Sequence, residues 1–500
     1  MRRRTFCTSA LAYISTMPLA LRAFAASGAE ASAEIPVIRR QGGEGFVSRK
    51  DCDDLRASLR GALLLSSDPG YDNARHLWNG AFDRHPAMIA KCAGAADVIQ
   101  AVNFARAHDL LVAVRGGGHS FSGQSACDKG LMIDLSLMHS VHVDPVLRRT
   151  RVEPGAMLGE FDREAQSFGL VTTAGAVSHT GVAGLTLGGG FGRLARRFGL
   201  ACDNLRAADV VTADGRLVET SANENPDLLW GLRGGGGNFG IVTSFEYGLH
   251  PAGPIMYGGD LLFAASDARA ILTQFAGFAA EAPDEMYVAG GMWTDEKLGP
   301  IVGFNICYCG RPEDGERAIA PLRTFRKPVR DRLGPTPYVR MQTDFDATYP
   351  WGWGYYERSG FIKKLTPEVI DSVIAIMDAP YPADADIYFV HQGGAIARTK
   401  PEATAFWHRD PLFALLIETD WHDPSDGRAR DESMQWARTQ WAALQKFTDG
   451  FYVNELSADD PHARVRSTYG GNYTRLVQLK KKYDPKNLFH MNANVPPSEV

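Results

Sequence analysis

Three runs of consecutive glycines restrict this chain more than any other feature: Gly116-Gly117-Gly118, Gly188-Gly189-Gly190 and Gly234-Gly235-Gly236-Gly237. Glycine makes up 52 of 500 residues, and much of it gathers in these runs and their flanks. Scattered glycine suggests loops; clustered glycine suggests backbone brought close to a ligand. Consecutive glycines also expose adjacent backbone N–H groups, which can form an anion-binding concavity that suits a pyrophosphate. The first run is followed by His119 and Ser120 and preceded by Arg115. A histidine beside such a loop is placed to meet a flavin ring. Taken alone, the segment suits a plain turn with a surface histidine about as well.

The third run contains a formal G-x-G-x-x-G match from Gly235 to Gly240, the nicotinamide-dinucleotide fingerprint. Its context contradicts that match. A Rossmann loop opens directly into a helix, whereas Ile241-Val242-Thr243-Ser244-Phe245-Glu246-Tyr247 reads as a strand by its β-branched and aromatic residues. NAD is therefore rejected.

Short strands and helices alternate around the glycine runs. The apolar spacing of Val98, Ala101, Val102 and Ala105 predicts a helix over Ala95–His108. Strands are expected at Leu110–Val114, Leu131–Leu135, Val141–Val143 and Thr150–Val152, and a helix over Met157–Phe168 ending at Gly169. From residue 256 the glycine clusters thin out and aromatics and prolines rise. Helices are expected near Asp267–Ala280, Pro367–Met377 and Arg428–Phe447, and strands at Tyr287–Trp293, Ile301–Tyr308, Asp386–Gln392 and Leu412–Trp421. A last helix, Gly471–Tyr483, stops at Asp484-Pro485 before an extended piece, Phe489–Pro497. The basic run Lys480-Lys481-Lys482 is expected to be a solvated helix end, favourable at the C-terminal dipole. The expected organisation is α+β: residues 70–255 and 256–450 as two domains, a lead-in over 27–69, and a distinct tail over 451–500.

The N-terminus reads as a targeting signal over residues 1–26. Arg2, Arg3 and Arg4 precede Thr5 and Phe6, an apolar run of about 15 residues follows, and Ala23-Phe24-Ala25 offers an A-x-A cleavage site. The pattern resembles a twin-arginine signal, which exports proteins already folded; a periplasmic or secreted protein is expected. No later segment looks like a membrane span. The formal net charge of −5 leaves no basic footprint for nucleic acid. Of seven cysteines, Cys7 would leave with the signal. The rest show no C-x-x-C pair and no metal-ligand spacing, so no metal is expected and most thiols should be buried and inert.

Four segments occur in order: VAVRGGGHSFSGQSACDKGLMIDLS, VSHTGVAGLTLGGGFGRLARRFGLACDNL, LLWGLRGGGGNFGIVTSFEY and YGGNYTRLVQLKKKYDPKNLFHMNANVPP. Together, over about residues 70–497, they resemble the berberine bridge enzyme-like FAD-linked oxidoreductases of the vanillyl-alcohol oxidase superfamily. The resemblance implies a two-part FAD-binding domain of the PCMH type, closed by the C-terminal tail, and a substrate domain of antiparallel sheet backed by helices. It implies a covalent bond between His119 and the flavin 8α-methyl. It places FAD against Arg115, Gly116, Gly117, Gly118, Ser120, Gly123, Gly181, Gly184, Gly188, Gly189, Gly190, Gly240, Ile241, Val242, Tyr469 and Asn472.

Many members carry a second link through a cysteine eleven residues before the first glycine of G-G-G-[FY]-G. That position is Val177 here, so a single covalent bond is expected, and Cys202 is expected to be structural. Thr180 stands where valine or leucine is usual in the region controlling oxygen access. A covalent link prevents cofactor loss after export and raises the flavin potential, which suits a poor hydride donor.

Hydride leaves a C–H bond as the neighbouring O–H or N–H proton departs, so a base is needed. The family's Y-x-N segment is matched by Tyr452-Val453-Asn454, with Glu455 where some members have a second tyrosine. Tyr452 is the catalytic candidate; a core aromatic is the alternative. His391-Gln392 and His408-Arg409 could line the pocket or be buried polar residues. The leading expectation is an oxidase acting on an alcohol, sugar, oligosaccharide or secondary metabolite, with O2 as acceptor. Alternatives are an amine oxidase with a pocket lined from Tyr349–Tyr356, a dehydrogenase using another acceptor, and a flavin-binding protein that does not turn over. Nothing in the sequence fixes an oligomeric state.

Overall fold

The computed structural model describes residues 34–380, 382 and 384–498; the signal-like segment 1–26 lies outside the described residues. Three larger sheets carry the fold. The first has the order β1-β2-β4-β3, from β1 (Ala62–Leu65), β2 (Met88–Lys91), β3 (Val112–Arg115) and β4 (Leu131–Asp134). Strands β2 and β3 both run parallel to β4, which requires a crossover between β2 and β3. The helix Ala95–Ala107 supplies it, with Val98, Ala101, Val102 and Ala105 fully buried. Strand β3 delivers the first glycine run to the sheet's C-terminal edge, where ligands of parallel sheets collect.

The second sheet is antiparallel, in the order β8-β7-β9-β6-β5. Its strands are β5 (Val141–Asp144), β6 (Arg149–Val152), β7 (Leu205–Val211), β8 (Leu217–Ser221) and β9 (Ile241–Gly248). Strand β9 begins directly after Gly240, so the third glycine run opens into a strand and not a Rossmann helix. The helix Leu158–Gln166 ends before Gly169, whose φ of +67° turns the chain.

The third sheet is antiparallel, in the order β13-β10-β12-β11-β16-β17-β15, with β14 also paired to β10. These strands are β10 (Ile255–Ala264), β11 (Met286–Asp295), β12 (Gly299–Tyr308), β13 (Arg330–Asp331), β14 (Gly334–Pro337), β15 (Gly354–Ile362), β16 (Ala385–His391) and β17 (Phe413–Trp421). The helices Ala268–Glu281, Pro367–Asp378 and Gly427–Leu444 cover one face, burying Ile271, Phe275, Val373 and Trp441 against Leu415 and Ile417. Alternation along β16 is regular: Ala385, Ile387, Phe389 and His391 are buried, while Asp386, Tyr388 and Val390 face the other way.

Several elements were not expected, among them strands β1, β2, β7, β8, β10, β13, β14 and β15 and the helix Pro312–Arg323. In β10, Gly258-Gly259-Asp260 breaks the apolar run. All nine residues of β15 are buried, Glu357, Arg358 and Ser359 included, so neither face is marked by an apolar pattern. The helix Pro312–Arg323 is largely polar. The tail helix starts two residues later than expected, at Tyr473.

One tail expectation is overturned. Lys480 is not solvated: its side chain is fully buried, and its ammonium donates to the Asn238 carbonyl at 2.9 Å, Asp484 Oδ2 at 2.8 Å and the Phe489 carbonyl at 2.8 Å. Only a buried cation with three acceptors satisfies its donors in this way. It ties the tail to the third glycine run. Lys482 pairs with Asp227 at 2.6 Å.

The six cysteines among the described residues are all unpaired and buried, and burial raises the pKa of each thiol. No described helix is long and apolar enough to cross a membrane.

Candidate functional site

A cavity of about 1170 Å³ lies between the glycine runs and the uncovered face of the third sheet. A drug-sized pocket is at most about 1,000 Å³, so this one can hold a dinucleotide and part of a substrate. Its glycine wall comes from Gly116–Ser120, from Gly181 and Gly184, and from Gly236, Gly237 and Gly240–Val242. The first two segments touch: a Cβ on Gly117 would lie 2.4 Å from Gly181 Cα, so only glycine at both positions allows the contact. By contrast, a Cβ on Gly184 would meet nothing within 4 Å, and one on Gly237 nothing nearer than 3.9 Å. These two glycines border open space inside the protein, a cradle shaped for a large ligand.

His119 closes one end of this wall. Its ring stacks on Trp78 at 4.1 Å, and Trp78 stacks on Tyr355 at 4.0 Å. His119 Nε2 lies 3.0 Å from His179 Nδ1. Its Nδ1 makes no hydrogen bond among the described residues. Burial, and then the neighbouring His179, hold the imidazole well below the usual histidine range, so it is neutral. A neutral ring with one nitrogen engaged and the other unbonded can act as a nucleophile from that second nitrogen.

Tyr452 enters from the tail. The Gly190 N–H donates to its Oη at 2.8 Å and Asn454 Nδ2 donates at 2.6 Å. The Asn454 amide is itself oriented by donation to the Leu185 carbonyl at 3.0 Å. Both acceptor positions of the phenol oxygen are thereby filled, leaving its O–H for the cavity. Burial, and then the charge of Glu455, push this phenol above the usual tyrosine value, so it rests as a neutral donor.

The opposite wall carries carboxyls. Glu357 on β15 stands directly across from Glu418 on β17, and Glu418 directly across from Asp386 on β16. All three line the cavity with Glu455. Burial is the largest cause of a raised pKa in each. Asp386 and Glu455 rise to about 8, and Glu357 and Glu418 stand well above the carboxylate range. Tyr349 and Tyr388 hydroxyls reach Glu418 Oε2 at 3.5 and 3.3 Å.

Of the residues named from the sequence, Gly116, Gly117, Gly118, His119, Ser120, Gly181, Gly184, Gly240, Ile241, Val242 and Tyr452 line the cavity. Seven do not. Arg115 lies behind the first loop, donating to the Ala74 carbonyl at 2.5 Å. Gly123 is a turn packed on Phe82. Gly188 packs on Asn454, Gly189 on Phe406, and Gly190 serves Tyr452 from behind. The Tyr469 hydroxyl is 3.2 Å from the Ala493 carbonyl, and the Asn472 amide donates to the carbonyls of Pro401 and Thr404. Both are fully engaged in fastening the tail, and its wall residues are instead Phe489, Met491, Asn492 and Ala493.

The substrate-domain candidates take the second of their two readings, as buried polar residues. His391 Nε2 lies 2.8 Å from Arg196, His408 Nε2 lies 3.3 Å from the Ser467 carbonyl, and Arg409 pairs with Asp203 at 2.7 Å. Gln392 accepts from Arg196 through its carbonyl. None lines the cavity. From Tyr349–Tyr356, Tyr349 does, and Trp351 lies edge-on to His119 at 6.3 Å.

Trp78, His179 and the carboxyls Glu357, Asp386 and Glu418 were missed. The available signal was acidic residues inside apolar strands, as in Leu415-Leu416-Ile417-Glu418. The one set of side chains among the described residues close enough to hold a metal is Asp384, Asp420 and His422. Asp384 and His422 are exposed, and the His422 ring stacks on Trp353.

Comparison with known proteins agrees with this geometry. The FAD binding domain family matches residues 86–221, and the berberine and berberine-like family matches residues 451–496. An FAD-linked oxidoreductase of Dictyostelium discoideum is 32% identical over 449 residues, covering 88% of this chain and 95% of that protein. The crystal structure of 6-hydroxy-D-nicotine oxidase from Arthrobacter nicotinovorans superposes with a TM-score of 0.80 at 29% identity, covering 88% of this chain and 99% of that one. Xylooligosaccharide oxidase from Myceliophthora thermophila gives 0.80 at 25% identity, covering 90% and 100%.

Proposed function

Because this chain belongs to the FAD-linked oxidoreductases of the berberine and berberine-like kind, we propose that it oxidises a small substrate at a carbon bearing nitrogen or a hydroxyl, with FAD joined by one covalent bond to His119 and O2 as electron acceptor. When bound, FAD supplies a two-electron acceptor for a hydride. The observation that carries this reading is the neutral His119, stacked at the end of the glycine wall with Nδ1 unbonded.

Gly116, Gly117, Gly118, Ser120, Gly181, Gly184, Gly240, Ile241 and Val242 would hold the cofactor, since they form the cradle. His179 keeps the His119 proton on Nε2 and leaves Nδ1 for the bond. Trp78 and Tyr355 fix the ring plane. Tyr452 presents its O–H to the substrate; it can pass the substrate's proton on to Glu455 when that carboxyl is ionised, which its value of about 8 allows above neutral pH. Val177, where a second link would need cysteine, lines the same wall, which supports a single bond.

Oxidases of a hydroxynicotine and of a xylooligosaccharide share the fold, so nitrogen and hydroxyl donors both have precedent. The carboxyl row favours nitrogen. Sugar hydroxyls are the second reading, favoured by aromatic faces such as Trp293 and Tyr388 in the cavity wall. The Arg2-Arg3-Arg4 segment and the apolar run after it support export in folded form to the periplasm or beyond.

The test is acid precipitation of the purified yellow protein. Flavin should stay with the polypeptide, and the tryptic peptide carrying His119 should gain the mass of FAD. Quantitative release of flavin from active protein overturns the bond. Peroxide formed with substrate in air supports O2; flavin that is reduced and then reoxidised only by another acceptor overturns it.

A further inference from the structure

The row formed by Glu357, Glu418 and Asp386 is an unusual thing for a sheet to keep. Like charges directly opposite one another destabilise paired strands. Here three acidic residues occupy one cross-strand line over β15, β17 and β16. Glu357 is 2% exposed and Glu418 3%, and burying an uncompensated carboxylate is costly.

The row is not satisfied from within. Glu357 Oε1, Glu418 Oε1, Asp386 Oδ1 and Glu455 Oε2 have no hydrogen-bond partner, and all four residues face the cavity. Nearby cations are turned elsewhere. Arg358, between Glu357 and Ser359, pairs with Asp459 at 2.8 Å and with Asp460 on the opposite side of the strand. Arg464 donates to the Ser359 carbonyl at 2.5 Å. The arginines that line the cavity, Arg330, Arg332 and Arg340, belong to β13 and its surroundings at the far edge of the sheet, and Arg330 is paired with Asp295 at 2.7 Å.

We propose that Glu357, Glu418 and Asp386, with Glu455 beside them, form a subsite for the cationic nitrogen of the substrate, so that the class oxidised is an amine bound as its ammonium ion. This rests on the flavin reading above and deepens it. An ammonium brings a positive charge and donors only, which carboxyls that give up their protons to it accept on every oxygen; a sugar hydroxyl brings donor and acceptor together and no charge. The rings of Tyr349 and Tyr388 beside Glu418 add faces against which a cation is stabilised.

The groups around the row are Asp420 and, towards the surface, Asp384 and His422; Tyr349, Tyr388 and Tyr452; Ser359; and Arg464, which lowers Glu455. None but Arg464 and a protonated His422 is cationic. The empty row therefore holds protons at neutral pH, and an ammonium entering it expels them.

Benzylammonium and its neutral isostere benzyl alcohol make the test, on the purified full-length protein as isolated, by calorimetry in two buffers of different ionisation enthalpy. Benzylammonium should bind at least about tenfold tighter than the alcohol, the ratio worth about 1.4 kcal/mol, and should release protons. Glu418→Gln and Asp386→Asn should each weaken benzylammonium about tenfold or more and leave benzyl alcohol within about twofold. Equal affinity for the two probes, or benzylammonium binding unchanged in both variants, overturns the subsite. Visible absorbance separates the two readings: a colourless protein that prefers benzylammonium keeps the subsite and defeats the flavin reading, and a yellow protein indifferent to charge does the reverse.

Discussion

His119 Nε2 and His179 Nδ1 stand 3.0 Å apart, and this single contact decides which nitrogen of His119 is free. His179 Nε2 is buried without a partner, so the contact with His119 is the hydrogen bond that holds the His179 ring. Replacing His179 with alanine should leave FAD bound but lower the covalently attached fraction, because His119 loses its fixed tautomer. His119→Ala should abolish the attachment altogether. Flavin fluorescence on a denaturing gel reads both; a full covalent complement in His179→Ala refutes the role given to it.

Tyr452 meets its two donors through one oxygen. Tyr452→Phe removes the O–H offered to the cavity while keeping the ring on Phe191, 4.2 Å away. Anaerobic flavin reduction should slow by about 10²–10⁴-fold, the range for losing a proton-transfer group. Stopped-flow absorbance measures it, and a loss under about threefold would mean the phenol is structural.

Gly184 sits inside the helix Val182–Leu187 with open cavity where its Cβ would be. Gly184→Leu should fold at least as well, since glycine costs about 1 kcal/mol against better helix formers. It should also project a side chain into the cradle. Flavin content should fall to below about a tenth while the melting temperature of the flavin-free protein is kept or raised. Normal flavin content would show that the cradle lies elsewhere.

The carboxyl row predicts a pH dependence of stability. Asp386 holds its proton to about pH 8 in the folded protein, against about 4 in an unfolded chain. A raised carboxyl adds stability that is whole below about pH 4 and is lost as pH climbs towards 8. Asp386→Asn removes that loss, so its melting temperature relative to the parent should improve between pH 5 and pH 9. Relief of about 1 kcal/mol corresponds to about 2–4 °C in a domain of this size. A constant difference across that range would place the row's titration outside it.

How far the sequence could be read follows from where each residue's partner comes from. The helix Ala95–Ala107 and the strands β3 and β4 after it were legible because local spacing alone marks the buried residues. The glycine wall was legible too, because close backbone approach demands glycine wherever the chain meets itself, as at Gly117 and Gly181. Lys480 was misread because its three acceptors, at Asn238, Asp484 and Phe489, include one over 200 residues away; a basic run at a helix end looks solvated until that contact is known. The carboxyl row was invisible for a related reason. Glu357, Asp386 and Glu418 are far apart in the chain, and only strand register sets them in line. Tyr469 and Asn472 were assigned to the ligand by resemblance of the segment, whereas the tail reaches the cavity some twenty residues further on, at Phe489–Ala493.

The unpaired thiols of Cys52, Cys92, Cys127, Cys202, Cys307 and Cys309 carry one more implication. No sulfur–sulfur bond among the described residues has to form before the cradle is complete. The polypeptide can thus reach the same end state under reducing or oxidising conditions. Where it acquires its shape and where it works are free to be different places.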